Sequence, residues 1–211
     1  AWPEDTRLHF DATYEPIVVG QTMVVSSSRD DSVRAFDTQN GQERWKFFAD
    51  GPIRLAPVGF DGRVYFGSDD GYFYCLNIDS GQLVWRFNAA PAGRLVIGNE
   101  RLISVWPART GPVVRDGKVL FTTGVWPFEG TLLYTLNAST GEVIRAEDLR
   151  DQAPQGYLVE SNDKLFIPCG RSQAHTIDLT NYQTLPLKYK ARGTSDYHIS
   201  AVDDYVLHGN K

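Results

Sequence analysis

Apolar and polar residues alternate through most of this chain, and the alternation is broken at regular intervals by glycine, asparagine and aspartate. Val33-Arg34-Ala35-Phe36 is typical: every second side chain can face a core while its neighbours face water, the pattern of a half-buried strand. No stretch of useful length carries the 3.6-residue spacing of an amphipathic helix. The chain therefore predicts short strands joined by tight turns.

The strands repeat. VRAFDTQNGQERWKF (Val33 to Phe47) returns as FYCLNIDSGQLVWRF (Phe73 to Phe87) and as LYTLNASTGEVIRAE (Leu133 to Glu147), the last with Arg145 where the others have Trp45 and Trp85. AHTIDLTNYQTLPLK (Ala174 to Lys188) is a more divergent copy, without the turn glycine or the tryptophan. Each copy reads as strand, turn, strand, with Asn40-Gly41, Ser80-Gly81 and Thr140-Gly141 as turn residues. A second pair of strands precedes every copy, turning at Gly20-Gln21, Asp61-Gly62, Asp116-Gly117 and Asn162-Asp163.

Four antiparallel strands at a period of about forty residues predict the blades of a β-propeller in an all-β chain. The expected blades are residues 11–51, 52–91, 109–152 and 153–192, with an insertion at 92–108 and a half blade at 193–211. About four and a half blades are thus present. The residues before the first blade are too few to complete the half blade, so the chain is expected to be part of a longer propeller.

Composition narrows the class. With 42% hydrophobic and 12% aromatic residues the chain can bury a core, and a net charge of −5 without a basic run argues against nucleic acid as partner. No apolar stretch is long enough to span a bilayer. Cys75 and Cys169 each sit in an apolar run, which leaves two readings, a disulfide or two buried thiols. The four histidines have no metal-ligand spacing, and no nucleophile or phosphate-loop signature is present, so no catalytic residue and no metal ligand is assigned.

The segments AFDTQNGQERW and CLNIDSGQLVW resemble the PQQ-like repeat of quinoprotein-type propellers. The resemblance implies that Trp45 and Trp85 pack between neighbouring blades. SSRDDSV, SDDGYFYCL, RLISVWPARTGPVV, GVWPFEG and APQGYLV are similar to segments of the large PQQ-like propeller proteins of planctomycete-type bacteria, which implies a periplasmic or secreted protein. Quinoprotein dehydrogenases carry an adjacent cysteine pair, a calcium site and a catalytic aspartate; here the cysteines lie far apart, and no cofactor is expected, with PQQ and calcium as the alternative.

Strand order supplies a candidate site. In a four-stranded antiparallel blade, the loop between strands two and three leaves from the same face as the loop to the next blade. These loops carry Arg29, Arg54, Asp69, Asp70, Trp106, Arg109, Trp126 and Arg171, which together form the expected ligand or partner face. Exposed indoles beside guanidiniums suit stacking on a sugar, quinone or peptide, whereas the plainer reading buries the indoles and pairs the arginines with Asp30, Asp31, Asp69 or Asp70. The acidic pairs are also turn formers and only weak calcium ligands.

Three functions follow: a non-catalytic platform for a protein or polysaccharide partner in the cell envelope, a PQQ-dependent oxidoreductase module, or structural blades of a larger multidomain protein. The first fits the residues best.

Overall fold

A computed structural model describes residues 15–98, 101–170, 172–186, 199–202 and 205–208. A two-residue turn opens each blade, between its first and second strands. The first blade contains β1 (Ile17–Val19), β2 (Thr22–Ser27), β3 (Ser32–Asp37) and β4 (Glu43–Phe48), hydrogen-bonded in that order. The second contains β5 (Val58–Phe60), β6 (Arg63–Gly67), β7 (Tyr72–Asn77) and β8 (Leu83–Asn88). After the inserted β9 (Leu95–Gly98) and β10 (Arg101–Ser104) and the short β11 (Thr110–Gly111), the third blade follows as β12 (Val113–Arg115), β13 (Lys118–Thr123), β14 (Leu132–Asn137) and β15 (Val143–Asp148). Beyond β16 (Gly156–Tyr157), the fourth has β17 (Val159–Ser161), β18 (Lys164–Ile167), β19 (His175–Asp178) and β20 (Thr184–Leu185). A final hairpin pairs β21 (Ile199–Val202) with β22 (Tyr205–His208). All pairs within blades are antiparallel, and the fold is an all-β propeller architecture of four-stranded sheets.

The first hairpin of blades two, three and four turns on residues that tolerate left-handed backbone. Asp61-Gly62, Asp116-Gly117 and Asn162-Asp163 have φ of 48° and 70°, 48° and 70°, and 50° and 58°, the two positive values of a type I′ turn. The outer turn is held by one side chain in each blade: Asp37, Asn77, Asn137 and Asp178 each accept from a backbone N–H two residues on, at 2.8 to 3.0 Å.

The core lies between blades. Val24, Val33, Ala35 and Trp45 of blade one meet Val64, Phe66, Tyr74 and Leu76 of blade two. Tyr65, Phe73 and Cys75 from the other side of blade two meet Val119, Phe121 and Leu136 of blade three, with the Phe73 and Phe121 rings stacked at 3.9 Å. Leu120 and Leu133 meet Leu165, Ile167, Cys169 and Ile177 of blade four. Both faces of an interior blade are therefore apolar, and water reaches chiefly the outermost strand, with Val18 of β1 and Phe60 of β5 exposed as well. The first strands pack beside one another along the axis, β1 against β5, β5 against β12 and β17 against β21. Gly59 of β5 makes room for this: a Cβ there would lie 2.5 Å from a Val19 methyl.

Candidate functional site

Three loops and the insertion meet on one face around Asp69, in the β6–β7 loop. Its side chain is 1% exposed, and its two oxygens are taken by two arginines. Arg109 donates from Nε and Nη2 at 2.9 and 2.6 Å, and Arg54 from Nε at 2.6 Å. Two sequence-distant guanidiniums thus tie the β4–β5 connection and the end of the insertion to blade two. Asp70 turns the other way. It accepts from Tyr74 Oη at 2.6 Å and from the N–H groups of Tyr72 and Asp50 at 2.7 and 3.1 Å; burial raises its carboxyl above the usual range against those hydrogen bonds.

The insertion is a hairpin, where the sequence reading has only a long connection. β9 and β10 pair Leu95 with Ser104, Val96 with Ile103, Ile97 with Leu102 and Gly98 with Arg101. Polar contacts clamp it to three blades. Arg101 pairs with Asp31 of blade one, Ser104 N–H donates to Asp69 O of blade two at 2.7 Å, and Arg94 forks onto Glu129 of blade three at 2.7 and 3.0 Å. Val96 and Ile103 face inward, Ile103 being 2% exposed. Leu95, Ile97 and Leu102 face outward at 61%, 76% and 65%, and Phe128, next to Glu129, stands 84% exposed. A cluster of this kind on a protein surface marks an interaction site more often than an accident of packing.

Trp106 is not an exposed stacking surface. It is 6% exposed, its Nε1 donates to Glu129 O at 2.8 Å, and the Arg94 guanidinium lies 5.6 Å above its ring. An indole with its one donor satisfied and its face covered supports the loop from beneath. Trp126 is half-buried at the start of a 3-10 turn, Pro127–Glu129. Arg29 is exposed and lines a shallow cleft of about 480 Å³ with Val25, Arg34 and Phe36, apart from Asp69. Arg171 lies outside the described residues. Of the described residues of the expected face, the fold gathers Arg54, Asp69 and Arg109 into one ion-pair cluster and leaves Arg29, Asp70, Trp106 and Trp126 out of it.

At the axis stands a residue that sequence reasoning passed over. Tyr157 of β16 lies against Gly111 of β11, which it pairs in parallel, and its Oη accepts from Ala56 N–H of the β4–β5 connection at 2.9 Å. The hydroxyl also meets Glu15, and burial is the main cause that lifts its pKa well above the ordinary value. Tyr157 therefore joins the entrances of blades one, two, three and four across the axis.

Trp45 donates from Nε1 to Ile78 O at 2.7 Å, and a Cβ on Gly81 would lie 2.5 Å from its ring; Trp85 repeats this with Ala138 O at 3.1 Å and Gly141 at 2.7 Å. Each indole lies flat on the turn glycine of the following blade.

Among the described residues, no three His, Cys, Asp or Glu side chains are gathered to hold a metal ion. Cys75 and Cys169 are not joined in a disulfide; they lie in separate inter-blade clusters, and burial pushes each thiol up to about 11. Asp69 is held by Arg54 and Arg109, Asp31 by Arg101, and Asp30 by Arg34 and Lys46, while Asp70 accepts from the Tyr74 hydroxyl and two backbone N–H groups.

Comparison with known proteins agrees with the repeat. Residues 7–104, just under half of the chain, match the family model described as outer membrane protein assembly factor BamB. The dehydrogenase subunit of the quinone alcohol dehydrogenase of Komagataeibacter europaeus is 26% identical over 155 residues, 68% of this chain and 20% of that relative. The repeats are similar to PQQ-like propeller blades. Solved structures carry the same fold: BamB from Moraxella catarrhalis superposes with a TM-score of 0.62 at 18% identity over 89% of this chain and 51% of its own. Quinohemoprotein alcohol dehydrogenase ADHIIG from Pseudomonas putida HK5 superposes with 0.65 at 15% identity over 81% and 33%. The chain spans about a fifth of the length of the curated relative it matches. Among the described residues, no helix of the PQQ-like array is long and apolar enough to cross a membrane.

Proposed function

We propose that this chain is a non-catalytic PQQ-like propeller platform of the cell envelope that binds a protein partner through the inserted hairpin. The observation that carries the proposal is the outward apolar surface of Leu95, Ile97 and Leu102 on a hairpin held by three polar clamps, with Phe128 exposed on the blade-three turn whose Glu129 takes the Arg94 clamp. Rigid apolar surface lowers the ordering cost of association, and its aliphatic character suits a protein better than a sugar polymer, for which a buried Trp106 offers no stacking plane. The likeness to a protein named as an outer membrane assembly factor supports both the envelope location and a protein partner. The likeness to quinone dehydrogenase subunits supports the oxidoreductase alternative, but the paired carboxylates and separated cysteines weigh against it.

Photo-crosslinking in the producing cell tests the platform. A crosslinking residue in place of Phe128 is expected to form one discrete protein adduct, and the same residue in place of Val84 on the outer rim none. The adduct partner, once purified, is expected to bind the chain and to lose about tenfold or more in affinity against Leu102→Asp. Equal binding to that variant overturns the proposal.

A further inference from the structure

The inserted hairpin is a sheet of two strands, so each strand has an edge that the other does not use. The register says which groups occupy those edges. Ser104 faces Leu95 in the pair, yet its N–H donates to Asp69 O at 2.7 Å and so turns away from β9. Hydrogen-bonded and non-bonded pairs alternate along an antiparallel ladder. Leu95 and Ile97 share the phase of Ser104, and their N–H and C=O groups therefore point away from β10, along the outer edge of β9. Blade two takes up the edge of β10 at Ser104; among the described residues no strand covers the edge of β9.

The side chains beside this edge match it. Leu95 and Ile97 stand on one face of β9, Leu102 stands opposite Ile97, and all three are exposed, while Val96 and Ile103 fill the inner face. Arg94 and Arg101 flank the apolar face, and each already has an acid of this chain, Glu129 and Asp31, so an incoming segment need bring no charge of its own.

Two other occupants fit less well. A lipid surface would accept the aliphatic side chains but would leave the outward N–H and C=O groups of Leu95 and Ile97 without partners. A helix has no backbone donors to spare for an edge, and a raised hairpin offers it no groove. We infer that β9 receives an extended segment of the protein partner as an added strand, whose alternate apolar side chains cover Leu95, Ile97 and Leu102. This rests on the platform reading and specifies how the partner binds.

The test uses selected peptides. A library of random short peptides is displayed on phage and selected against the chain, with Ile97→Lys and Leu102→Lys as counter-selections; both positions are exposed, and circular dichroism checks that the variants fold. The expected winners carry apolar residues at every second position and bind Ile97→Lys at least about tenfold more weakly. N-methylation of alternate peptide residues in one phase should cost about tenfold or more, because it removes the ladder donors, while the other phase is tolerated. Winners with helical spacing, or indifference to methylation in both phases with the Ile97→Lys loss retained, would overturn the strand inference and leave the platform standing. If no winner senses Ile97→Lys or Leu102→Lys, both fall. Binding to vesicles of anionic phospholipid that Ile97→Lys abolishes also overturns both, in favour of a membrane.

Discussion

Arg145 lays its guanidinium 4.4 Å from the centre of the Tyr182 ring, at the place where the two preceding blade junctions press an indole onto a glycine. The exchange is reciprocal. The tryptophan of blades one and two becomes arginine in blade three, and the turn glycine that would receive it becomes Tyr182 in blade four, with φ held at 60°. A flat aromatic contact survives, but a large ring now projects from the turn and a flexible cation covers it.

The junctions should differ in strength as a result. Trp45→Ala, which empties a site 8% exposed, is expected to cost about 3–5 kcal/mol, whereas Arg145→Ala at its half-exposed site should cost about 0.5–1 kcal/mol. Tyr182→Gly should cost about 1–2 kcal/mol, because relief of a left-handed backbone, about 1 kcal/mol, offsets only part of the loss of a ring that packs on the blade-four core and meets Thr135. Urea denaturation of the three variants measures the order, and equal losses at positions 45 and 145 would contradict it.

The Trp45–Gly81 contact can be isolated by a double-mutant cycle. Gly81→Ala puts a methyl against the indole at a φ of 67° and is expected to cost about 1–3 kcal/mol alone, but clearly less when Trp45 is already alanine. Additive losses would mean that the backbone conformation of Gly81, and not the indole above it, sets the cost.

Removing the Asp69 carboxylate charge tests the clamp under the insertion. Asp69→Asn leaves Arg54 and Arg109 facing a neutral amide in a site 1% exposed, and should cost about 3–5 kcal/mol. Hydrogen exchange should then quicken first in β9 and β10, since the Arg109 end of the insertion depends on that carboxylate. Unchanged exchange there would show that Arg101 and Arg94 hold the hairpin by themselves.

Tyr157→Phe removes only an oxygen, yet it strips the Ala56 N–H of its acceptor across the axis, and should cost about 1–3 kcal/mol in thermal or urea unfolding. A variant as stable as the parent would mean that water replaces the hydroxyl there.

Acid should weaken the fourth blade through His175. Burial depresses its pKa below the ordinary 6.5, so the folded chain binds a proton less readily than the unfolded one. The associated stability is full above about pH 6.5 and is lost as pH falls through the lower folded value. Melting temperatures between neutral and mildly acid pH should fall less steeply for His175→Gln than for the parent; parallel curves would exclude this histidine as the cause.

The turns and the apolar alternation made the blades legible, because both are local. Asp61-Gly62 and Asp116-Gly117 take the left-handed conformations their residue types allow, and the repeat aligned Trp45 with Trp85 before any contact was known. The site was legible only in outline. That Asp69 and Arg109 lie on one face follows from strand order, but which arginine meets which aspartate does not: Asp69 took two, and Asp31 took Arg101 from the insertion. The hairpin went unseen because Leu95-Val96-Ile97 and Arg101-Leu102-Ile103 are short, have no repeated counterpart, and flank Asn99-Glu100 instead of a turn glycine. Tyr157 gave no signal at all, since its partner Ala56 is 101 positions away.

By itself, then, the amino-acid order determined four-stranded blades, their turns and the residues that recur at their junctions, because period-two burial and left-handed turn positions are set within a few neighbouring residues. Only the tertiary structure decided that Trp106 is covered, that Asp69 is shared, and that an inserted hairpin turns Leu95, Ile97 and Leu102 to solvent. Those outcomes depend on how neighbouring blades meet around the axis, and contacts between residues tens of positions apart leave no local trace in the alternation that encodes each strand.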